Sequence, residues 1–281
     1  GLIVVNTNPL YTPREMLYQF DDSEAKAIVI LENFAHNLEQ IIKNTNIKVT
    51  IVTSIGEMLG GMKGTVVNFV VKYVKRMVPK YQLQNVVNFQ ECLYQGQKFT
   101  IKSFENRPND VIILQYTGGT TGVSKGAMLT NKNLIANMMQ MKAWLEPSLR
   151  YGEEIALSPL PMYHIFAFTV NCLALIGLGA KIVLVTNAKD IASVIKEFKK
   201  QKITLFTGLN TLFNALMNHS DFKNGDFSEL RVTVSGGMAL QKAIADRWES
   251  ITGCRISEGY GMTESSPVLT VNILGKEARI G

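Results

Sequence analysis

The residues best suited to chemistry lie in a glycine- and hydroxyl-rich stretch at residues 116–130. Four glycines fall within residues 118–126, together with threonines, a serine and one lysine, and an apolar run at 111–114 precedes them. Glycines let backbone N–H groups approach a ligand closely, and successive N–H and hydroxyl groups form a concave site for anionic oxygens. The stretch therefore predicts a loop that binds nucleotide phosphates through these residues: Tyr116, Thr117, Gly118, Gly119, Thr120, Thr121, Gly122, Ser124, Lys125 and Gly126.

This loop differs from a Walker loop, which needs Gly directly before its lysine and Ser or Thr directly after it. Here Ser124 precedes Lys125 and Gly126 follows it. Residues 127–129 read as a short second strand, so we expect the loop to join two strands as a mobile hairpin. A glycine- and threonine-rich turn without a ligand is the alternative, and the length of the motif disfavours it.

Two later motifs follow the loop along the chain. Leu-Pro-Met-Tyr-His occupies residues 160–164, and Glu-Gly-Tyr-Gly-Met-Thr-Glu occupies residues 258–264. With the loop, they resemble the signatures of the acyl-adenylate-forming enzymes, which include acyl-CoA ligases, peptide-synthetase adenylation domains and luciferases. The flanking residues 5–15 and 207–214 look like bacterial long-chain fatty-acid–CoA ligases in particular. The resemblance extends from one end of the chain to the other.

The resemblance implies a reaction in two steps, with ATP, Mg²⁺ and CoA as cofactor and co-substrates. A fatty-acid carboxylate attacks the α-phosphate of ATP, and the CoA thiol then attacks the acyl-adenylate. Neither step needs a protein nucleophile, so catalysis rests on alignment and charge neutralisation. The implied catalytic residues are Lys125, His164, Thr263 and Glu264. Of these, Glu264 is suited to hold Mg²⁺, which prefers oxygen ligands.

The resemblance also implies where the adenine and the acyl chain bind. A Gly-Gly turn after a predicted strand resembles the adenine-binding turn, and the Tyr260 ring would stack on the base. The implied nucleotide contacts outside the loop are Gly236, Gly237, Met238, Gly259, Tyr260, Gly261, Met262 and Thr263. The implied acyl-site residues are His164, Phe168, Gly208 and Gly261. Phe168 has core packing as an alternative, and Gly261 is expected to leave a tunnel open that Gly261→Trp would close to long chains.

The order of apolar and amphipathic segments predicts an α/β fold. Strands alternate with helices along the chain, which favours parallel pairing with right-handed crossovers. With the resemblance, this predicts two stacked, doubly wound and mostly parallel sheets. We expect one α/β subdomain at residues 1–150, which includes the phosphate loop, and a second at residues 151–281, which carries the adenine and acyl motifs.

Residues 66–78 have an unusual distribution of charge. On a helical wheel, Asn68, Lys72, Lys75 and Arg76 share one arc, and apolar residues fill the rest. No acidic residue occurs from Met58 to Gln90. A basic amphipathic helix of this kind can lie on an anionic membrane surface. An ordinary surface helix or a strand remains the alternative.

Composition narrows the class of protein and its surroundings. The net charge of +6 suits anionic ligands but is too small to indicate nucleic-acid binding. Three widely spaced cysteines predict neither a disulfide framework nor a metal site, so a reducing, cytoplasmic setting is expected, with the inner face of the cell membrane as an option. The apolar run at residues 165–180 is shorter than the ~20 residues of a membrane span, and Asn171 interrupts it, which predicts a buried helix.

The chain reads as an internal fragment of a larger enzyme. It starts with Gly1, and residues 278–281 stop inside the family's next pattern. The family's small C-terminal domain, its ribose-binding acidic residue and its C-terminal lysine would lie beyond Gly281, so we expect this fragment not to complete the reaction alone. An adenylating enzyme with a carrier-protein acceptor and a non-catalytic nucleotide-binding or membrane-docking module stay open, as does a homodimer.

Overall fold

The computed structural model describes residues 1–101, 103–118 and 123–273. The chain forms two compact units, one from Gly1–Glu105 with Tyr116–Gly126, the other from Asn106–Gln115 with Ala127–Gly281. The predicted division at residue 150 does not coincide with these units, because residues before it pack with residues after it. Leu134 contacts the cluster of Ile165, and Met141 contacts the cluster of Val170.

The first unit contains a parallel sheet with strand order β2-β3-β4. Its helix α1 starts at a capping box, in which Thr12 and Glu15 exchange hydrogen bonds and Pro13 occupies the first helical position. Such a box satisfies backbone N–H groups that the first turn leaves free. The elements are β1 (Val4–Asn6), α1 (Pro13–Asp22), β2 (Ala27–Leu31), α2 (Ala35–Glu39), β3 (Val49–Thr53), α3 (Gly61–Phe69), β4 (Val86–Asn88) and α4 (Phe89–Gly96).

The basic amphipathic segment is helical, but its bounds differ from the prediction. Helix α3 begins at Gly61 and continues as a π-helix, Val70–Val74, and Arg76 then has a left-handed φ of 51°. Two residues of the polar arc contact protein, since Asn68 accepts a hydrogen bond from the Gly56 N–H (2.7 Å) and Lys72 pairs with Glu32 (3.2 Å). The other two basic residues of the arc are exposed, and so are several apolar side chains of the segment, among them Phe69 and Tyr73.

The strands that flank the phosphate loop are β5 (Val111–Thr117) and β6 (Lys125–Thr130), which form a three-stranded sheet with β1 in the order β1-β5-β6. The loop thus joins two strands, as predicted. Both strands are divided between the two compact units. The division falls after Gln115 in β5 and after Gly126 in β6.

The second unit is built on a six-stranded sheet with the order β12-β11-β10-β9-β7-β8. All its neighbouring strands are parallel except β11 and β12, so the expected mostly parallel α/β fold is confirmed. Its elements are α5 (Asn131–Leu145), β7 (Ile155–Ser158), α6 (Ile165–Ala167), α7 (Leu175–Gly177), β8 (Lys181–Leu184), α8 (Ile191–Lys200), β9 (Leu205–Gly208), α9 (Asn210–Asn218), α10 (Ser220–Lys223), β10 (Val232–Gly236), α11 (Lys242–Thr252), β11 (Ile256–Gly261) and β12 (Val268–Val271).

A π-helix, Phe168–Ala174, joins α6 to α7, so the predicted buried helix is present, but its middle has the wider i→i+5 hydrogen-bond pattern of a π-helix. It packs against the second unit's sheet with Val170, Ala174 and Leu175, which are fully buried. Across the described ranges, no helix is both long and apolar enough to cross a membrane.

Candidate nucleotide and acyl site

The described part of the phosphate loop is organised around Tyr116 in the first unit. The Tyr116 ring would crowd a Cβ at Gly126 at 3.1 Å, which favours glycine there, and its hydroxyl donates a hydrogen bond to Asp22 (2.6 Å). Burial, and then this bond, raise the pKa of Tyr116 far above its ordinary value. Tyr116 is thus an anchor of the loop, and its predicted contact with nucleotide stays a prediction.

The loop ends are held by Ser124, whose hydroxyl donates a hydrogen bond to the Thr117 carbonyl oxygen (2.6 Å). Gly118 and Lys125 are exposed, so the Lys125 ammonium group is available to a ligand. The predicted contacts at Gly119, Thr120, Thr121 and Gly122 lie outside the described residues.

In the second unit, three predicted glycines meet at one edge of the sheet. The parallel strands β9, β10 and β11 are neighbours, with Gly208 opposite Ser235 and Gly236 opposite Gly259. The carboxyl ends of adjacent parallel strands are where ligands bind in open α/β sheets. The structure therefore brings together the predicted adenine turn, the start of the Tyr-Gly motif and Gly208.

The Gly236-Gly237 turn has specific backbone requirements. A Cβ at Gly236 would press on the Phe166 ring at 3.1 Å, and Gly237 has a left-handed φ of 81°. Glycine meets both requirements without a steric cost. Met238, next in the turn, is exposed.

Two residues that the motifs did not single out as site residues support this turn. Glu258 accepts a hydrogen bond from the Leu240 N–H (2.7 Å), which ties the segment after the turn to β11 without capping α11. Asn210 donates to the Ala239 carbonyl oxygen (2.7 Å) and accepts from the Gln241 N–H (3.2 Å). No local pattern marks Asn210, because its partners lie about thirty residues further along the chain.

The Tyr-Gly motif ends in a short 3₁₀-helix, Thr263–Ser265, directly after β11. Tyr260, Met262 and Glu264 are exposed, and Thr263 is half-buried. No described residue pairs with the Glu264 carboxylate. Among the described residues no three His, Cys, Asp or Glu side chains cluster as a metal site. One open carboxylate fits Mg²⁺ that completes its shell with phosphate and water oxygens.

Gly261 is constrained by β12. A Cβ there would collide with the Pro267 carbonyl oxygen and crowd the Val268 Cα, at the point where the β11–β12 register shifts. Backbone atoms cannot move aside as a flexible side chain can. Gly261→Trp would therefore disturb the pairing and harm every substrate, so this substitution cannot report on an acyl tunnel.

His164 caps the helix that begins at Ile165. Its Nδ1 accepts a hydrogen bond from the Phe166 N–H (3.3 Å), and the preceding Tyr163 carbonyl oxygen accepts one from Gln115 (2.9 Å). Although part of the residue is exposed, desolvation by surrounding protein lowers the pKa of the His164 imidazole. The lowered pKa and the hydrogen bond accepted by Nδ1 both favour the neutral ring, with Nε2 left for a ligand.

Phe168, the predicted acyl gate, packs against the cluster formed by Ile113, Leu129, Leu134 and Ile165. This contact matches the core-packing alternative, and a gating role stays a prediction. Phe166, two residues earlier, is the aromatic side chain that reaches Gly236.

A family model described as "AMP-binding enzyme" matches residues 1–281. The chain belongs to the AMP-binding enzyme family, as the three motifs and their order indicated.

Its curated relatives include "Long-chain-fatty-acid--CoA ligase" of Escherichia coli O6:H1, 50% identical over 97% of this chain and 48% of the relative. The protein of the same name from Haemophilus influenzae is 50% identical over 100% of this chain and 51% of its own length. The chain thus spans about half the length of the curated relatives it matches.

Solved structures support the same fold. An anthranilate CoA ligase in complex with anthranoyl-AMP superposes with a TM-score of 0.81 at 22% identity, covering 98% of this chain and 48% of that one. A long-chain-fatty-acid-CoA ligase from Archaeoglobus fulgidus gives 0.68 at 24% identity, covering 95% and 49%.

Proposed function

We propose that the full-length protein carrying this sequence is a long-chain fatty acid–CoA ligase. It converts a fatty acid, ATP and CoA into acyl-CoA, AMP and pyrophosphate through an acyl-adenylate. The observation that carries the proposal is the 50% identity to proteins of that name along almost the whole chain. The glycine-lined edge of β9, β10 and β11 supports it, and His164 and Thr263 belong to the same unit.

In this proposal the protein aligns reactants and neutralises charge. Lys125 grips the β- and γ-phosphates, and Thr263 contacts the α-phosphate. The neutral His164 imidazole sits beside the carboxylate and lowers its cost of desolvation through hydrogen bonding. Glu264 would hold Mg²⁺, which supplies positive charge to the phosphate oxygens when bound. Adenine would stack on Tyr260 above the Gly236-Gly237 turn.

The enzyme of this proposal touches an anionic membrane surface from the cytoplasmic side. The apolar arc of α3 and its π-helix exposes Phe69, Tyr73 and Val74, each more than half accessible. Lys75 and Arg76 follow directly and are exposed, so cationic groups flank the apolar patch. Apolar contact combined with a basic rim suits the interface of a bilayer that contains anionic lipid.

Product analysis of the full-length protein tests the function. Incubation with ATP, Mg²⁺ and palmitate should release pyrophosphate, and addition of CoA should yield palmitoyl-CoA. Transfer to an acyl carrier protein in place of CoA would support the carrier-acceptor alternative. Nucleotide binding without pyrophosphate release, for any fatty acid from acetate to palmitate, would support the non-catalytic module.

A further inference from the structure

Asn171, the residue that interrupts the longest apolar run of the sequence, lies in the core of the second unit. It is 1% exposed and sits inside the π-helix Phe168–Ala174. Its Nδ2 donates hydrogen bonds to Ser158 Oγ (2.7 Å) and Thr207 Oγ1 (2.8 Å). Both hydroxyls are buried as well, so the amide group of one side chain donates hydrogen bonds to two different strands.

The two partners stand at the exits of strands that lead to the candidate site. Ser158 is the last residue of β7, and the chain from there runs to His164. Thr207 directly precedes Gly208 at the end of β9 and lies opposite Val234 in β10. Asn171 therefore ties the helix that His164 caps to two strand ends of the same sheet edge.

The arrangement is costly if its only role is to fill the core. Asn171 Oδ1 has no hydrogen-bond partner among the described residues and is fully buried. A buried acceptor without a donor loses its interaction with water and gains nothing in return. A leucine has a similar shape and would avoid this cost. π-Helical stretches inside α-helices are frequently found at functional sites.

We propose that Asn171 is a positioning residue for adenylation. Its two hydrogen bonds fix the π-helical register between α6 and α7, and this register places the His164 ring and holds Phe166 against Gly236. The link to catalysis rests on the proposed function, whereas the effect on His164 does not.

The test uses four forms of the full-length protein. The first is the wild type and the second is Asn171→Leu. The third adds Ser158→Ala and Thr207→Val to Asn171→Leu, which removes all three polar groups together. The control is Asn33→Leu, which deletes a buried amide of the first unit that bonds the Met77 carbonyl oxygen (3.0 Å).

Each form is measured for thermal stability, for fatty-acid-dependent ATP–pyrophosphate exchange and for titration of the His164 ring by NMR. The His164 signal is assigned with the His164→Gln variant.

Asn171→Leu should slow exchange by about 10- to 100-fold, the scale for misplaced catalytic groups. The pKa of His164 should rise toward its ordinary value as the ring gains solvent. The triple variant should regain thermal stability, because its buried polar groups are gone together, yet keep the slow exchange and the raised pKa. Asn33→Leu should lose stability and leave the His164 titration unchanged.

Recovery of exchange and of the His164 titration together with stability in the triple variant would overturn the proposal, since the cluster would then serve only the core. An unchanged His164 titration in Asn171→Leu would overturn it as well. If the wild type shows no fatty-acid-dependent exchange, the proposed function fails, and the His164 titration still decides the role of Asn171.

Discussion

The two units each contain a helix that passes from α- to π-geometry, but the two helices differ in the exposure of their apolar side chains. In the first unit, Asn68 bonds the loop after β3, and Phe69 and Tyr73 are 57% and 62% exposed. In the second unit, Asn171 bonds the ends of β7 and β9, while Val170 is 1% exposed. An asparagine joins each helix to a strand exit, and only the second helix is covered on its apolar side.

The contrast shows what a helical wheel leaves undecided. Periodicity separates a polar arc from an apolar one, yet the arc that faces the protein depends on partners distant in sequence. Lys72 and Asn68 find theirs in Glu32 and Gly56, so these two residues of the polar arc contact the protein while the rest of the arc stays exposed. Asn171 finds Ser158 and Thr207, so a polar side chain is buried within a largely apolar segment.

The largest expected effect is on stability, when one apolar side chain is truncated in each of the two helices. Leu175→Ala, at a fully buried position, should cost about 2–5 kcal/mol of stability because it leaves a cavity. Val74→Ala, at an exposed position, should change stability by less than about 0.5 kcal/mol. Denaturant unfolding followed by fluorescence and circular dichroism would measure both. Equal losses would break the comparison.

The next effect concerns Lys75 and Arg76, the basic residues beside the exposed apolar patch. Lys75→Glu with Arg76→Glu should weaken binding to vesicles of anionic lipid by about 1 kcal/mol for each residue removed. Lys72 is left intact, because its change would also break the pair with Glu32. A control with the same charge change is Lys196→Glu with Lys200→Glu, on the exposed side of α8. If both pairs reduce sedimentation with vesicles equally, net charge rather than this helix drives the contact.

A smaller effect concerns the ion pair between Lys72 and Glu32. Lys72→Met should cost about 1 kcal/mol of stability, because the Glu32 carboxylate beneath it loses its counter-charge while solvent screens part of the pair. Lys75→Met, at an exposed neighbour, should cost less than Lys72→Met. Urea unfolding of both variants is the measurement, and an equal cost would mean that the polar arc does not anchor the helix.

The smallest effect is a pH dependence of that pair. The hydrogen bond to Glu32 raises the pKa of Lys72 above its ordinary value. The pair's contribution is therefore complete below the unfolded pKa of lysine, about 10.4, and is lost as pH rises through the folded pKa. The stability difference between wild type and Lys72→Met should be constant from pH 7 to 9 and shrink above about pH 10.5. A difference that persists at high pH would assign it to packing of the lysine stem.

Local signals in the sequence predicted much of the fold. The Thr-Pro-Arg-Glu pattern at residues 12–15 predicts a helix start with a capping box, and the apolar run at 27–31 predicts a strand. Both are present, because each depends on neighbouring residues alone. The pattern at residues 34–43 predicts one helix, but the structure has a short α2 followed by a 3₁₀ turn, Ile42–Asn44. Leu38 and Ile41 turn into the core there, which shows tertiary packing overriding a continuous helix.

The candidate site was predictable where a motif is contiguous and unpredictable where support comes from elsewhere. The edge at Gly236 and Gly259 follows from motifs that stand at strand ends. The close approach of Pro267 to Gly261 depends on the β12 register, which no single segment encodes.

The central claim is that the exposed Lys125 serves a nucleotide phosphate in acyl-adenylate formation. Its most direct test is fatty-acid-dependent ATP–pyrophosphate exchange by the full-length protein with Lys125→Ala, beside Lys132→Ala as an exposed lysine outside the loop. We predict that Lys125→Ala lowers the exchange rate by at least about 100-fold, the scale for losing one group that stabilises transition-state charge, at unchanged thermal stability, while Lys132→Ala retains the rate. Exchange by Lys125→Ala at the wild-type rate would contradict the claim.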